Sequence, residues 1–146
     1  MLWLRGNIPD VADAKLRSLM EEGGNLLAMT ASADSRMSVV QDMFHVDMVT
    51  SRSASMVRMI NLTHIDSISI THRVRAFQLR SPARPLFLLG SDQVTGSYVN
   101  DGTYRAGLMP FSIMSAAEAN WRPLLEEALA LLSGGLIEAQ MEIDGQ

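Results

Sequence analysis

The longest regular alternation of apolar and polar positions in the chain lies between Met56 and His72. Every second residue faces the same way in a strand, and this rule places Ile60 and Ile68 on one apolar face. The stretch is also rich in Ile, Val and Thr, which favour strands. Because it is longer than an ordinary strand, we expect two strands, or one bent strand, that meet near residues 61–64.

Further strands are predicted on both sides of this stretch. Residues 42–49 alternate in the same way, and residues 51–55 have the composition of a turn. After His72 the alternation continues towards two prolines, which make residues 81–85 a turn because proline is poorly accommodated in a central strand. A short apolar strand is then expected at residues 86–89.

A hairpin is predicted near the end of the β region. The sequence Asn-Asp-Gly at residues 100–102 is a good signal for a tight turn between strands. It separates two alternating segments, residues 94–99 and 103–108. Tyr98 and Tyr104 flank the turn, so we expect them to pair across the strands.

The N-terminal part is predicted to be mainly helical. Leu2 to Leu4 suit a short edge strand. Asn7 or Asp10 can cap a following helix, which the glycine pair at residues 23–24 would end. Residues 26–29 fit either a short strand or a helical turn.

A long helix is predicted after the β region. Ser115 followed three residues later by Glu118 is a capping box, so we expect the helix to run from there to about Ser133. Pro123 falls inside it and predicts a kink or a restart near Trp121. Its buried stripe should consist of Trp121, Leu124, Leu125, Ala128, Leu131 and Leu132.

The last predicted element is a strand or arm at residues 136–143. Ile137, Met141 and Ile143 fall on its apolar side, and acidic residues lie on the other. A terminal strand can add to an exposed sheet edge, so this arm should either join a second copy or fold back on its own domain. The arginines expected to face its acidic side are Arg73, Arg75, Arg80 and Arg84.

These elements together predict an α+β fold. We expect a mostly antiparallel sheet, or a partly open barrel, of about six or seven strands with an N-terminal helix and a long C-terminal helix. The length of 146 residues suits a single domain. Within 1–146, its parts would be a helical N-terminal segment at 1–41, a β core at 42–109, a helix at 115–133 and the C-terminal strand or arm at 136–143.

Composition narrows the function classes. The chain has no cysteine, which excludes disulfides, thiol catalysis and cysteine-based zinc sites. No apolar run approaches the roughly 20 residues of a membrane helix, and the first ten residues lack the features of a secretory signal. We therefore expect a cytoplasmic protein, or a virion protein if it derives from a phage, with no membrane association and no cofactor.

The net charge of −4 hides an uneven distribution of charge. Residues 52–84 contain six arginines and one acid, whereas residues 85–146 contain eight acids and two arginines. Strands of opposite charge can lie side by side in one sheet. Alternatively, the arginines form a surface that awaits an anionic partner. A domain devoted to nucleic acid is usually basic overall, so nucleic acid is the less expected partner.

One motif occurs twice, as His45 with Asp47 and as His64 with Asp66. A spacing of two puts each histidine and its aspartate on one face of a strand. A hairpin that turns near residues 55–56 would bring Asp47 opposite His64 and His45 opposite Asp66. Such pairs would fix the strand register and raise the pKa of both histidines. The alternative hypothesis is a metal site formed by the same four residues.

Two function classes follow from these observations. The first is a non-catalytic interaction or assembly protein, such as a self-associating subunit of a larger complex or a phage structural component. It is supported by the 11 methionines, the uneven charge and the amphipathic arm. The second is a small metal-dependent enzyme that uses the paired His-x-Asp strands.

Overall fold

The computed structural model of the chain describes residues 2–5, 13–30, 38–60 and 67–133. In chain order the elements are β1 (Leu2–Arg5), α1 (Asp13–Glu21), β2 (Asn25–Met29), α2 (Ser38–Phe44), β3 (Val46–Met59), β4 (Ile68–Leu79), β5 (Phe87–Leu89), β6 (Gln93–Thr95), β7 (Ser97–Asn100), β8 (Arg105–Met109), a 3-10 turn (Ile113–Ser115) and α3 (Glu118–Ser133).

The eight described strands form two four-stranded sheets. Sheet 1 has the order β1-β2-β8-β7, in which β1–β2 and β2–β8 are parallel and β7–β8 is antiparallel. Sheet 2 has the order β4-β3-β5-β6 and is antiparallel throughout. The predicted α+β class is confirmed, with an N-terminal helix and a long C-terminal helix, and the strands do not close into a barrel.

Strand β2 of sheet 1 is buried on both faces. Leu27 and Met29 of β2 belong to the core cluster that includes α3, and Leu26 and Ala28 belong to the cluster that includes α1 and α2. A strand covered on both faces has an uninterrupted apolar sequence, which the sequence alone does not distinguish from a helical turn. The structure decides between the two, and residues 25–29 form a strand.

Sheet 2 shows the alternation that the sequence predicts. Ile68, Ile70 and Val74 of β4 are buried, whereas the residues between them are exposed or half-buried. The long stretch from Met56 to His72 is divided between β3 and β4, as expected. Its predicted break at residues 61–64 lies outside the described residues.

The end of α1 also follows its sequence. The N–H of Gly24 donates to the carbonyl of Leu19 (2.9 Å), the N–H of Gly23 donates to that of Met20 (3.0 Å), and Gly23 has a φ of +86°. This is the Schellman arrangement, which needs a left-handed residue after the helix. A Cβ on Gly24 would lie 2.7 Å from the carbonyl oxygen of Leu19, so the glycine pair ends the helix as predicted.

The strand predicted at residues 42–49 is wrong in its first part. Helix α2 extends to Phe44, His45 has a left-handed φ of +50°, and β3 begins only at Val46. Val40 and Phe44 are four residues apart, so a helix buries both in the cluster with α1. The pattern of residues 42–46 fits both the two-residue period of a strand and the 3.6-residue period of a helix. The burial of Val40 and Phe44 selects the helix.

The turn predicted at residues 51–55 is also wrong, because β3 continues through it. Ser53 and Ala54 pair with Arg75 and Val74 of β4. The small polar residues that suggest a turn are tolerated in the strand because their side chains are exposed or half-buried. Partner-strand hydrogen bonds therefore override the local composition.

The Ser115 capping box is wrong as well. Ser115 lies in the 3-10 turn, whose N-cap is Ser112, and the Ser112 side chain accepts a hydrogen bond from the N–H of Met114. Helix α3 starts later, at Glu118, and continues through Pro123 without a restart. Pro123 lies in the second turn and has no N–H, so it removes one backbone hydrogen bond of the helix.

The buried stripe predicted for α3 is confirmed for five of its six residues, and the sixth, Leu131, is only half-buried. Leu124, Ala128 and Leu132 are buried in the core, and Trp121 and Leu125 pack against it while remaining partly exposed. The indole N–H of Trp121 donates to the carbonyl of Ala116 (2.9 Å), which fixes the first turn of the helix against the chain that precedes it.

The hairpin at residues 100–102 is confirmed as the connection between β7 and β8. The predicted pairing of the two tyrosines is wrong, because Tyr98 stands opposite Gly107. Tyr104 lies in the turn, before β8 begins. The turn is longer than a two-residue loop, and this displaces Tyr104 from the ladder.

Candidate interaction surface

Four arginines of sheet 2 form what we call the arginine surface: Arg52 and Arg58 on β3, and Arg73 and Arg75 on β4. All four are exposed. The only carboxylate on these two strands is that of Asp47. Within the described part of the chain none of the four forms an ion pair.

Two of these arginines are nevertheless positioned by neighbouring strands. The Arg73 guanidinium donates to the hydroxyl oxygen of Ser53 on β3 (2.9 Å). The backbone carbonyl of Arg75 accepts a hydrogen bond from the hydroxyl of Thr95 on β6 (2.6 Å). The first contact orients the Arg73 guanidinium without neutralising it, whereas the second fixes only the backbone of Arg75.

Beside the arginine surface, one edge of β3 has no partner among the described strands. Strand β4 pairs with one side of β3 over residues 46–57, whereas β5 pairs with the other side only at Arg58 and Met59. Along residues 51–56, no strand among those described pairs with this second side. Unpaired backbone groups of this kind are a template for an additional strand.

Two grooves flank this unpaired edge. The larger one, of about 470 Å³, is lined by Arg52 and Arg73 among other residues. The smaller one, of about 340 Å³, is lined by Met56 and Arg58. Gly90, in the turn between β5 and β6, lines both grooves, and neither lining contains a carboxylate. Together they form a basic channel along the edge of β3.

The structure separates the four arginines that the sequence grouped as a partner surface. The two on β4 belong to the arginine surface. Arg80, however, donates to the carbonyl of Gln41 in α2 (2.9 Å), so it holds a helix end. Arg84 is exposed and exchanges backbone hydrogen bonds with Tyr98 of β7, next to sheet 1.

Arg52 and Arg58 are the members of the surface that the sequence did not single out. Arg52 was assigned to a turn, and Arg58 was only one charge within a strand pattern. The signal that contained them was the charge count of residues 52–84, which places six arginines against one acid. That count does not show which arginines find partners inside the protein.

A second polar region lies between α1, α2 and the turn that joins β7 to β8. We call it the Tyr104 cleft, which has a volume of about 270 Å³ and is lined by Arg17, Asp42, Met43, Asp101 and Tyr104 among others. Arg17 and Asp42 form an ion pair of 2.8 Å that joins α1 to α2. The charges of this cleft are therefore partly satisfied by one another.

Tyr104 joins the turn to α2. Its hydroxyl donates to the carbonyl of Met43 (3.0 Å) and lies 3.4 Å from Nε2 of His45. The Asp101 carboxylate accepts hydrogen bonds from the backbone N–H groups of Thr103 (2.8 Å) and Tyr104 (3.0 Å). Burial, with Asp101 and Asp42 nearby, raises the pKa of Tyr104 to about 12, so it stays neutral.

His45 lies beside this cleft, and its environment contradicts the pairing hypothesis. Burial, followed by the charge of Arg80, lowers the pKa of His45, against a smaller opposing effect of Asp101 and Asp42. Its Nδ1 atom is buried and has no hydrogen-bond partner among the described residues. The expected rise in the pKa of His45 is therefore wrong, since no carboxylate bonds to the ring.

The hairpin that would align the two His-x-Asp motifs is also wrong. Residues 55–56 lie inside β3, which does not turn there, and Val46 pairs with Leu79 of β4. Asp47 is exposed at this end of the strand. His64 and Asp66 lie outside the described residues, so the metal role of the four residues stays a prediction.

Three candidates in the C-terminal arm, Ile137, Met141 and Ile143, also lie outside the described residues. Within the described ranges, no group of three or more histidine, aspartate or glutamate side chains could hold a metal ion. In the same ranges, no helix has the length and apolar character needed to cross a membrane. Neither the family models nor the curated proteins match this chain.

Proposed function

We propose that this protein is a non-catalytic interaction and assembly protein that associates with itself through the arginine surface. The observation that carries the proposal is a contrast between two regions. In the Tyr104 cleft Arg17 is paired with Asp42, whereas the arginine surface has no acidic partner among the described residues. The arginines on β3 and β4 have no ion-pair partner among the described residues, and the grooves between them contain no carboxylate. An acidic segment would complement this surface.

Exposed apolar side chains next to the arginines support an interface. Met56 is 51% exposed and Ile60 is 37% exposed, although most large apolar side chains of the described chain are buried. Methionine is flexible and adapts to irregular partner surfaces. Arginine and methionine are both enriched in the contact regions of protein interfaces.

The apolar contacts would supply most of the affinity. Exposed ion pairs contribute about 0.2–1 kcal/mol each, because water and salt screen them. The arginines would therefore set the orientation and the rate of association more than its strength. The proposed role is that of a subunit of a larger complex, in the cytoplasm or, for a phage structural component, in a virion.

Sedimentation analysis of the full chain at micromolar concentration tests this proposal. We expect a mass above the 16.0 kDa of one chain, and we expect it to fall as salt is added, because salt screens exposed charges. Replacing both Arg58 and Arg75 with Gln should weaken association. The matched control replaces two exposed cations elsewhere, Lys15 on α1 and Arg122 on α3, with Gln in the same way. This control should leave the mass unchanged.

A full chain that is monomeric under these conditions would contradict the proposal. Equal loss of association in the control would also contradict it, because the effect would then reflect net charge and not this surface.

A further inference from the structure

The unpaired edge of β3 is an incomplete sheet, and its surroundings restrict what can complete it. The free backbone runs along residues 51–56 and is followed by Arg58, where pairing with β5 begins. Arg52 and Arg58 mark the two ends of the channel, and Gly90 lies between the two grooves. A suitable partner would be an extended segment with acidic residues at intervals.

The C-terminal segment of the chain has these properties in its sequence. Residues 136–143 alternate apolar and polar positions, as a strand does. The free edge from Ser51 to Met56 spans about 20 Å at roughly 3.3 Å per residue, so a segment of eight residues is long enough to cover it.

The acids of this segment complement the arginines of the channel in charge. Glu138, Glu142 and Asp144 alternate with its apolar residues. The register between β3 and β4 shifts between Ala54 and Met56, so Arg52 and Arg58 do not follow one regular alternation along β3. The match therefore rests on charge and not on an exact pairing of residues.

The position of α3 favours a second copy as the source of this segment. The hydroxyl of Tyr98 donates to the carbonyl of Leu131 (3.0 Å), and the Arg105 guanidinium donates to that of Leu132 (3.3 Å). These contacts hold the last turn of α3 against β7 and β8 of sheet 1. The unpaired edge, by contrast, belongs to sheet 2.

We infer that residues 136–144 of one copy add as a strand to the free edge of β3 in a second copy, so that the acids of this segment meet the arginines of the channel. This inference rests on the proposed function and names the partner of its surface. If the exchange is reciprocal, two copies complete each other's sheet and close a two-fold dimer. Backbone hydrogen bonds supply affinity and the alternate side chains supply specificity.

Charge exchange between two full-length variants tests the inference. The first variant reverses the arm, with Glu138→Arg and Glu142→Arg, and the second reverses the channel, with Arg52→Glu and Arg58→Glu. Each variant alone should associate about tenfold or more weakly than the parent, because attraction becomes repulsion. An equimolar mixture should recover the dimer, since each arm then meets a channel of opposite charge.

The controls separate this inference from the proposed function. Circular dichroism must show that both variants are folded, and the milder pair Arg52→Gln and Arg58→Gln should weaken association to a smaller degree. The double change of Lys15 and Arg122 to Glu alters the net charge as much as the channel reversal does, and should leave the dimer intact.

Each other outcome overturns a defined part of the argument. A dimer that survives arm reversal would reject the arm as partner while leaving self-association in place. A mixture that does not recover would reject exchange between copies. In another outcome, no dimer forms in the mixture, but one forms from a single chain that carries both the arm reversal and the channel reversal. That result would show that the arm binds its own domain. A monomeric parent would reject both the inference and the proposed function.

Discussion

The arginine surface and the Tyr104 cleft are built from similar side chains but differ in how those side chains are paired. Both contain arginine and methionine side chains, and both line open cavities. In the cleft, Arg17 bonds to Asp42 and the Tyr104 hydroxyl bonds to a carbonyl of α2. On the arginine surface the charges have no such acidic partner among the described residues.

This difference separates polar groups that hold the fold together from groups that are available to another molecule. The cleft joins α1, α2 and the β7–β8 turn, so its polar contacts belong to the folded chain itself. Among the described residues, the side chains of Arg52 and Arg58 form no hydrogen bond or ion pair with another element. A change in the cleft should therefore alter stability, and a change on the surface should alter association.

The two methionines give the largest expected contrast. Met43 lines the cleft and is 3% exposed, whereas Met56 lines the smaller groove and is 51% exposed. Replacing Met43 with Ala should lower the free energy of unfolding by about 2–5 kcal/mol, because it leaves a cavity in the core. Replacing Met56 with Ala should change it by less than about 0.5 kcal/mol but weaken association.

Urea denaturation at a protein concentration low enough for sedimentation to show single chains measures the two methionine variants in their dissociated state. Low concentration is needed because self-association would make the apparent stability depend on concentration. Comparable loss of stability in both variants would show that Met56 is part of the core and would remove the contrast between the regions.

Two exposed arginines give a smaller contrast. Arg80 donates to the carbonyl of Gln41 in the last turns of α2, where a positive charge also favours the helix dipole. Replacing Arg80 with Gln should cost about 1 kcal/mol in the free energy of unfolding. Replacing Arg58 with Gln should leave stability within about 0.5 kcal/mol of the parent and reduce association.

The same denaturation and sedimentation measurements apply to both arginine variants. The opposite result would have Arg58 needed for stability and Arg80 needed for association. It would mean that the contact of Arg80 with α2 contributes little to stability, and that the interaction surface includes Arg80 and not Arg58.

His45 gives the smallest expected effect, through pH. Because its folded pKa is lowered below the unfolded value of 6.5, the unfolded chain binds more protons in the interval between the two values. The free energy of unfolding should therefore fall as the pH drops from 6.5 towards the folded pKa, with no contribution from this group above that interval.

Comparing parent and His45→Asn isolates this contribution. Asparagine tolerates the left-handed φ of +50° better than most residues, so the variant should keep the junction between α2 and β3. Stability measured by urea between pH 5 and 7.5 should depend less on pH in the variant. Identical slopes would show that the His45 ring is not shielded from solvent in the way the structure indicates.

Several features of the fold were accessible from sequence because they depend on near neighbours. The alternation in β4, the glycine pair after α1 and the stripe of α3 each reflect contacts or backbone requirements within a few residues. The hairpin at residues 100–102 belongs to the same group, since its turn is built by the side chain of Asp101. Such features need no knowledge of the rest of the chain.

Other features depended on packing between distant segments. Residues 42–46 fit a strand or a helix, and burial of Val40 and Phe44 against other elements selects the helix. The composition of residues 51–55 favours a turn, but pairing with β4 keeps them in a strand. The capping box at Ser115 failed because its pattern is compatible with the 3-10 turn that the chain forms instead.

For the candidate site, the sequence determined that arginines are concentrated in residues 52–84 and that the segment after residue 135 is acidic and amphipathic. Only the tertiary structure decided which arginines have no ion-pair partner among the described residues. It directs Arg80 to a helix end and leaves Arg52 and Arg58 beside an open edge of β3. The physical reason is that charge and periodicity are properties of a segment, whereas a charge's partner is fixed by which distant segments the fold brings within hydrogen-bonding distance.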